Sequence, residues 1–140
     1  MRIVMDTSVL VAGVRSQSGA SYALLDLVAD RRVTALATPP LFLEYEDVLK
    51  RPEQRLAHRH MHDDNDRVLT ALAMVLEPVT IYFRWRPLLH DMDDDMVLEA
   101  AINGHADALV THNVTDFADV APRFGISVLR PAELLMRMRL

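Results

Sequence analysis

Five acids, Asp6, Glu44, Asp94, Asp95 and Asp116, each stand just after a short apolar run or in the first turns of the helix that follows one. The densest charge lies at residues 90–101, "HDMDDDMVLEAA", where Asp91, Asp93, Asp94 and Asp95 fall within five residues before the chain turns apolar. A helix N-terminus favours a nearby carboxylate by ~0.3–1 kcal/mol. Capping therefore accounts for one of these acids, not four. Carboxylates brought together repel, and without a counter-charge they protonate or separate. A divalent cation removes that conflict. Hard cations such as Mg²⁺ or Mn²⁺ take carboxylate and water oxygens, and a bound water can become a nucleophile against a phosphodiester. The chain contains no cysteine, so disulfides, thiolate catalysis and cysteine-type zinc sites are excluded together, and a metal must be held by oxygen or imidazole.

These acids need a scaffold that gathers them. "RIVM" ends at Asp6, "VTALAT" ends at the Thr38-Pro39-Pro40 breaker, and "ALVT" (108–111) and "ISVL" (126–129) read as further strands, with "VTIYF" (79–83) as an extra one. Helical spacing marks "ASYALLDLVADRR", "LFLEYEDVLKR" up to Pro52, "NDRVLTALAMVLE", "DMVLEAAING" up to Gly104, and "AELLMRMRL" after Pro131. Short, continuously apolar strands alternating with helices indicate a parallel sheet covered on both faces. The class is α/β, a three-layer fold with a central, mostly parallel four- to five-stranded sheet flanked by helices, in one domain over residues 1–140. Ligands of such folds sit beyond the carboxyl ends of the strands. The five acids all project toward that edge.

About half the residues are apolar and a quarter charged, the balance of a folded domain. The formal net charge of −5 argues against a broad electrostatic grip on nucleic acid, less so if the acids cluster in one site. No stretch approaches the ~20 unbroken apolar residues of a membrane span. "MRIVMDTSVL" lacks the layout of a signal peptide, so a cytoplasmic location without membrane contact is expected.

In order and spacing, "MRIVMDTSVLVAG", "PPLFLEYEDVLKRP", "DMDDDMVLEAAINGHADALVT" and "THNVTDF" resemble the PIN-domain ribonucleases, over nearly the whole chain. The bacterial branch holding the toxins of toxin–antitoxin pairs is the nearest in pattern. The resemblance implies an endoribonuclease dependent on Mg²⁺ or Mn²⁺, silenced by a cognate antitoxin protein and commonly homodimeric. By position, Asp6 of "DTS" is the central metal ligand, with Thr7 and Ser8 supporting it, and Glu44 is the second acid. The family usually has Asn where Ser8 stands, and a hydroxyl there can still orient Asp6. The third acid is Asp94 or, one residue on, Asp95; Asp94 is favoured, with Asp95 a neighbouring ligand, while Asp91 and Asp93 are left to solvent. Asp116 is the outer ligand of choice, with Thr111 and Asn113 orienting, and one or two cations remain open.

Other features have plainer readings. "HRHMHDD" (58–64) reads as a polar helix end or loop rather than a metal box, and "FRWRP" (83–87) as either a sheet edge or a single-strand binder. Arg51, Arg55 and Arg59 form a charged helix face that can line an RNA path. Met74 and Met136 read as core fillers, the alternative being an apolar groove for an antitoxin helix. Receiver and haloacid-phosphatase readings of Asp6 are disfavoured, because the sole lysine is Lys50 and Ser8 occupies the place of the phosphatase's second Asp. The stronger rival is a catalytically decayed PIN-like module that binds RNA or protein, kept open by Ser8 and Asn113.

Overall fold

The computed structural model describes residues 1–51, 62–83, 89 and 91–138, with the side chains of 62–64 left aside. Five strands, β1 (Arg2–Met5), β2 (Thr34–Ala37), β3 (Glu77–Pro78), β4 (Ala108–Val110) and β5 (Ser127–Leu129), form one sheet in the order β3-β2-β1-β4-β5. Every pairing is parallel, with Ile3 opposite both Ala35 and Ala108. β1, β2 and β4 are buried almost throughout, which is why they read as unbroken apolar runs rather than alternating ones. The helices flanking the sheet are α1 (Thr7–Arg15), α2 (Ala20–Ala29), α3 (Pro39–Leu49), α4 (His62–Val75), α5 (Met92–Asn103), α6 (Val114–Phe117) and α7 (Pro131–Met138), with a 3₁₀ turn at Ala121–Phe124. None of the helices among the described residues is long and apolar enough to cross a membrane.

The structure corrects the sequence reading at several elements. The fifth strand lies at Glu77–Pro78 rather than 79–83, because Val79 N–H already closes the ladder on the Ala37 carbonyl and the chain then leaves the sheet. Tyr82 and Phe83 instead donate their N–H groups to Asn103 Oδ1, at 2.8 and 2.9 Å. The two prolines taken as a breaker start α3: they occupy its first turn, where no amide is needed, and Thr38 Oγ1 caps Leu41 N–H. α1, which the sequence patterning leaves unassigned, begins directly after Asp6. α5 starts at Met92, so Asp93, Asp94 and Asp95 all occupy its first turn. Met74 and Met136 are 72% and 78% exposed, not core fillers: on α4 the buried stripe runs through Leu69 and Leu72, on α7 through Pro131 and Leu134, and both methionines face away from it.

α5 crosses β1, β2 and β4 and carries the acidic turn to the carboxyl edge of the sheet. Its far end is fitted closely: a Cβ on Gly104 would lie 2.9 Å from Leu36 Cδ1 and 3.0 Å from Val79 Cγ2. The Gly104 carbonyl accepts from Arg2 Nη2 at 3.1 Å. The Arg2–Glu77 ion pair beside it is exposed and adds little. Close packing against the sheet, rather than charge, therefore sets where the acidic turn sits.

Candidate functional site

β2 and β3 lie on one side of β1, β4 and β5 on the other, so the chain reverses direction across the sheet between β1 and β4. A crevice opens at such a point, beyond the carboxyl ends of the strands. Asp6 and Thr111 border it, each the residue just after its strand, and Asp6 N–H donates to the Val110 carbonyl at 2.9 Å.

Asp6 is the N-cap of α1 by backbone position, yet its side chain makes no capping bond. Its Oδ2 instead accepts from Thr111 Oγ1 at 2.6 Å and from Ser8 Oγ at 3.0 Å. Thr111 Oγ1 in turn accepts from Asn113 N–H at 2.9 Å, which directs the threonine proton at Asp6. His112 N–H donates to Ser8 Oγ at 3.3 Å. Asp6 is thus a buried residue, only 6% exposed, with its carboxylate held by two hydroxyls. Behind it, the buried Tyr45 hydroxyl donates to the carbonyl of Met5. Burial, then the charge of Asp6, pushes the Tyr45 phenol above its ordinary range and keeps it a donor.

Across the crevice, the first turn of α5 divides its acids by direction. Asp91 caps the helix, its Oδ1 accepting from Asp93 N–H at 2.9 Å. Asp95, 3% exposed, accepts from Leu89 N–H at 2.9 Å and fastens the segment before the helix. Asp93 is exposed. Asp94, half-buried, has its carboxyl pushed up to about 7, by burial first and then by Asp6, Asp91, Asp116 and Asp93. Asp116 sits in the first turn of α6 and is exposed, its N–H donating to the Asn113 carbonyl. The Glu44 carboxyl is also raised, by burial and then by Asp93 and Asp47, with Arg51 opposing.

The structure therefore brings Asp6, Ser8, Thr111 and Asn113 into bonded contact, and Asp94 and Asp116 into one electrostatic field with Asp6. Glu44 joins that field at its margin, through Asp93 and Asp91. Thr7 is the half-buried first residue of α1. Among the described residues, no three acids or histidines converge closely enough to hold a metal as the side chains stand. The donors nevertheless suit a hard cation in kind, being carboxylates in mutual repulsion that a positive charge would relieve. The side chains of His58 and His62 of the "HRHMHDD" stretch, Arg55, Arg59 and residues 84–87 lie outside what the structure describes.

A family model for the PIN domain matches residues 2–115. The chain belongs to the PIN domain family. A solved structure similar to this PIN domain is that of VapBC2 from Rickettsia felis bound to a DNA fragment from its promoter; the TM-score is 0.60 at 18% identity, over 91% of this chain and 98% of that one. At that identity the likeness is one of fold. No curated protein matches the chain.

Three residues bonded around the candidate site escape the sequence reading: Tyr45, Ser21 and His112. Ser21 Oγ and His112 Nε2 are 2.8 Å apart although the residues are 91 positions apart in the chain. No local spacing announces such a pair. Tyr45 does carry a faint signal, an aromatic with a polar tip one residue after the expected acid Glu44. Away from the acids, α1, α2 and α4 border an apolar groove of about 400 Å³, lined among others by Gly13, Leu25, Val68, Leu72 and Val75.

Proposed function

We propose that this PIN domain is an endoribonuclease dependent on Mg²⁺ or Mn²⁺, and the toxin of a toxin–antitoxin pair. The observation that carries the reading is the Asp6 carboxylate, withheld from helix capping and fixed by Thr111 and Ser8 at the β1/β4 crevice opposite Asp94. Asp6 and Asp94 would hold the cation, with Asp116 and Glu44 as outer acids. Asp95, tied to Leu89 N–H, serves the site as a support for the acidic turn. Once bound, the cation would lower the pKa of a water and offset charge building on the phosphate oxygens. Thr111 and Ser8 hold Oδ2 of Asp6 still while that happens. Asp94 carries a proton up to about pH 7, so loading the site competes with that proton and improves as pH rises through that value. Hydrolysis in line would leave a 5′-phosphate and a 3′-hydroxyl.

The test is cleavage of labelled RNA with and without Mn²⁺ or Mg²⁺ by the wild type and by Asp6→Asn and Asp94→Asn. Cation-dependent cutting by the wild type and loss in both variants is expected. Cutting without a cation, or full activity in both variants, would defeat the reading.

The rival, a decayed module that binds RNA or protein without cutting, is favoured by the lack of three convergent ligands among the described residues. Ser8 no longer supports it, since its hydroxyl bonds Asp6. Cation-dependent binding of RNA without products would favour the rival. The similarity in fold to a chain of the VapBC2 complex supports an antitoxin partner, and the apolar groove offers that partner a surface. A homodimer and a cytoplasmic location belong to the same reading; sedimentation of the purified protein tests the first.

A further inference from the structure

Residues 111–113, the turn from β4 into α6, help to orient the Asp6 carboxylate, directly through the Thr111 hydroxyl and indirectly through His112 N–H, which donates to Ser8 Oγ of α1. The turn is not itself regular structure. Asn113 has φ −107° and ψ 59°, neither helical nor extended, and its N–H is occupied by Thr111 Oγ1. The His112 backbone N–H ties the turn to Ser8 on α1, and the His112 side chain ties it to α2, through a bond between Nε2 and Ser21 Oγ at 2.8 Å. Ser21 is a buried polar residue, 4% exposed, on the second position of α2.

The position of Ser21 is fixed relative to Asp6 by packing. α1, which begins directly after Asp6, approaches α2 closely at Gly13, where an added Cβ would lie 3.4 Å from the Ser21 carbonyl carbon and 2.4 Å from Leu25 Cδ1. A closed circuit results: Asp6, α1, the Gly13–Ser21 approach, the His112 imidazole, the Ser8 hydroxyl, and Asp6 again. An anchor of this kind holds a catalytic group without touching substrate.

We infer that Ser21, acting through His112, is a positioning residue for the Asp6 carboxylate; the inference rests on the nuclease reading of the acid site. Whether serine or imidazole donates depends on the histidine tautomer, and either arrangement holds the turn. Misplacing a reacting group by about 1 Å can cost on the order of a hundredfold in rate, so losing one strut of several corresponds to roughly a tenfold loss in kcat with KM unchanged.

The experiment compares wild type, Ser21→Ala and Ser21→Thr by amide hydrogen exchange without metal or RNA, and by the kcat and KM of Mn²⁺-dependent RNA cleavage. Ser21→Ala is small enough to fold, and Ser21→Thr keeps the hydroxyl. The expected result is exchange about fivefold faster at His112 and Asn113 in Ser21→Ala, as for the loss of one hydrogen bond, unchanged exchange at Leu109, a lower kcat at constant KM, and restoration of both by Ser21→Thr. Unchanged exchange in Ser21→Ala would overturn the inference whatever the activity. Faster exchange with full kcat would overturn it as well. A wild type that never cleaves RNA would refute the nuclease reading and the catalytic part of this inference; exchange would then show only whether the strut is a structural tie.

Discussion

Replacing Asp94 with Asn removes one charge from the acid field while keeping the side chain's shape. Asp94 has an ordinary carboxyl value of 3.8 and is pushed up to about 7 in the fold. Its contribution to stability is therefore fully present below pH 3.8, is lost progressively as pH rises, and is gone above about 7. At about 1.4 kcal/mol per tenfold change in proton affinity, the ceiling on that loss is ~4 kcal/mol. The side chain is only half-buried, and solvent screening reduces the figure to ~1–2 kcal/mol. Without divalent cation at pH 8, Asp94→Asn should be more stable than the wild type by that amount, a rise of ~3–7 °C in Tm for a domain of this size. Near pH 3.5 the two should melt together. Thermal unfolding followed by circular dichroism in chelator, at low salt and at both pH values, makes the comparison. A variant less stable than the wild type at pH 8, or a difference independent of pH, would refute a repulsive acid field at the mouth of the crevice.

Four further outcomes follow from the same contacts. Adding Mn²⁺ at about a hundred times its dissociation constant should stabilise the wild type by ~2.7 kcal/mol and Asp6→Asn far less, as read by Tm. Thr111→Val should lower kcat by about tenfold or more while leaving the fold intact by circular dichroism, because Asp6 Oδ2 loses its shortest bond. Tyr45→Phe should destabilise by ~1–3 kcal/mol in urea unfolding, since the buried Met5 carbonyl loses its donor. Gly104→Ala should cost ~1–3 kcal/mol in the same assay, because its Cβ meets backbone and two packed side chains at about 3 Å.

The parts of the molecule that were legible in the sequence are those governed by burial. β1, β2 and β4 show as apolar runs because both their faces are covered, and Asp6 stands out as the charge that ends the first of them. α1 hides because "TSVLVAGVR" continues the apolar, β-branched character of the strand before it and contains a glycine. The glycine is there for close packing on α2, which is a tertiary reason. Pro39 and Pro40 read as a stop and act as a start, since proline suits the first helical turn. The choice between Asp94 and Asp95 turns on about 100° of rotation around α5. Leu89 N–H takes Asp95, leaving Asp94 in the field of Asp6 and Asp116. Ser21, His112 and Tyr45 act over tens of residues of separation, where spacing carries no signal.

The most direct measurement is an anomalous difference map from crystals soaked with Mn²⁺ above pH 7.5, where Asp94 has released its proton. The predicted result is a peak about 2.1 Å from carboxylate oxygens of both Asp6 and Asp94. A crevice empty of manganese, with Mn²⁺ bound elsewhere or not at all, would contradict the proposed cation-dependent centre.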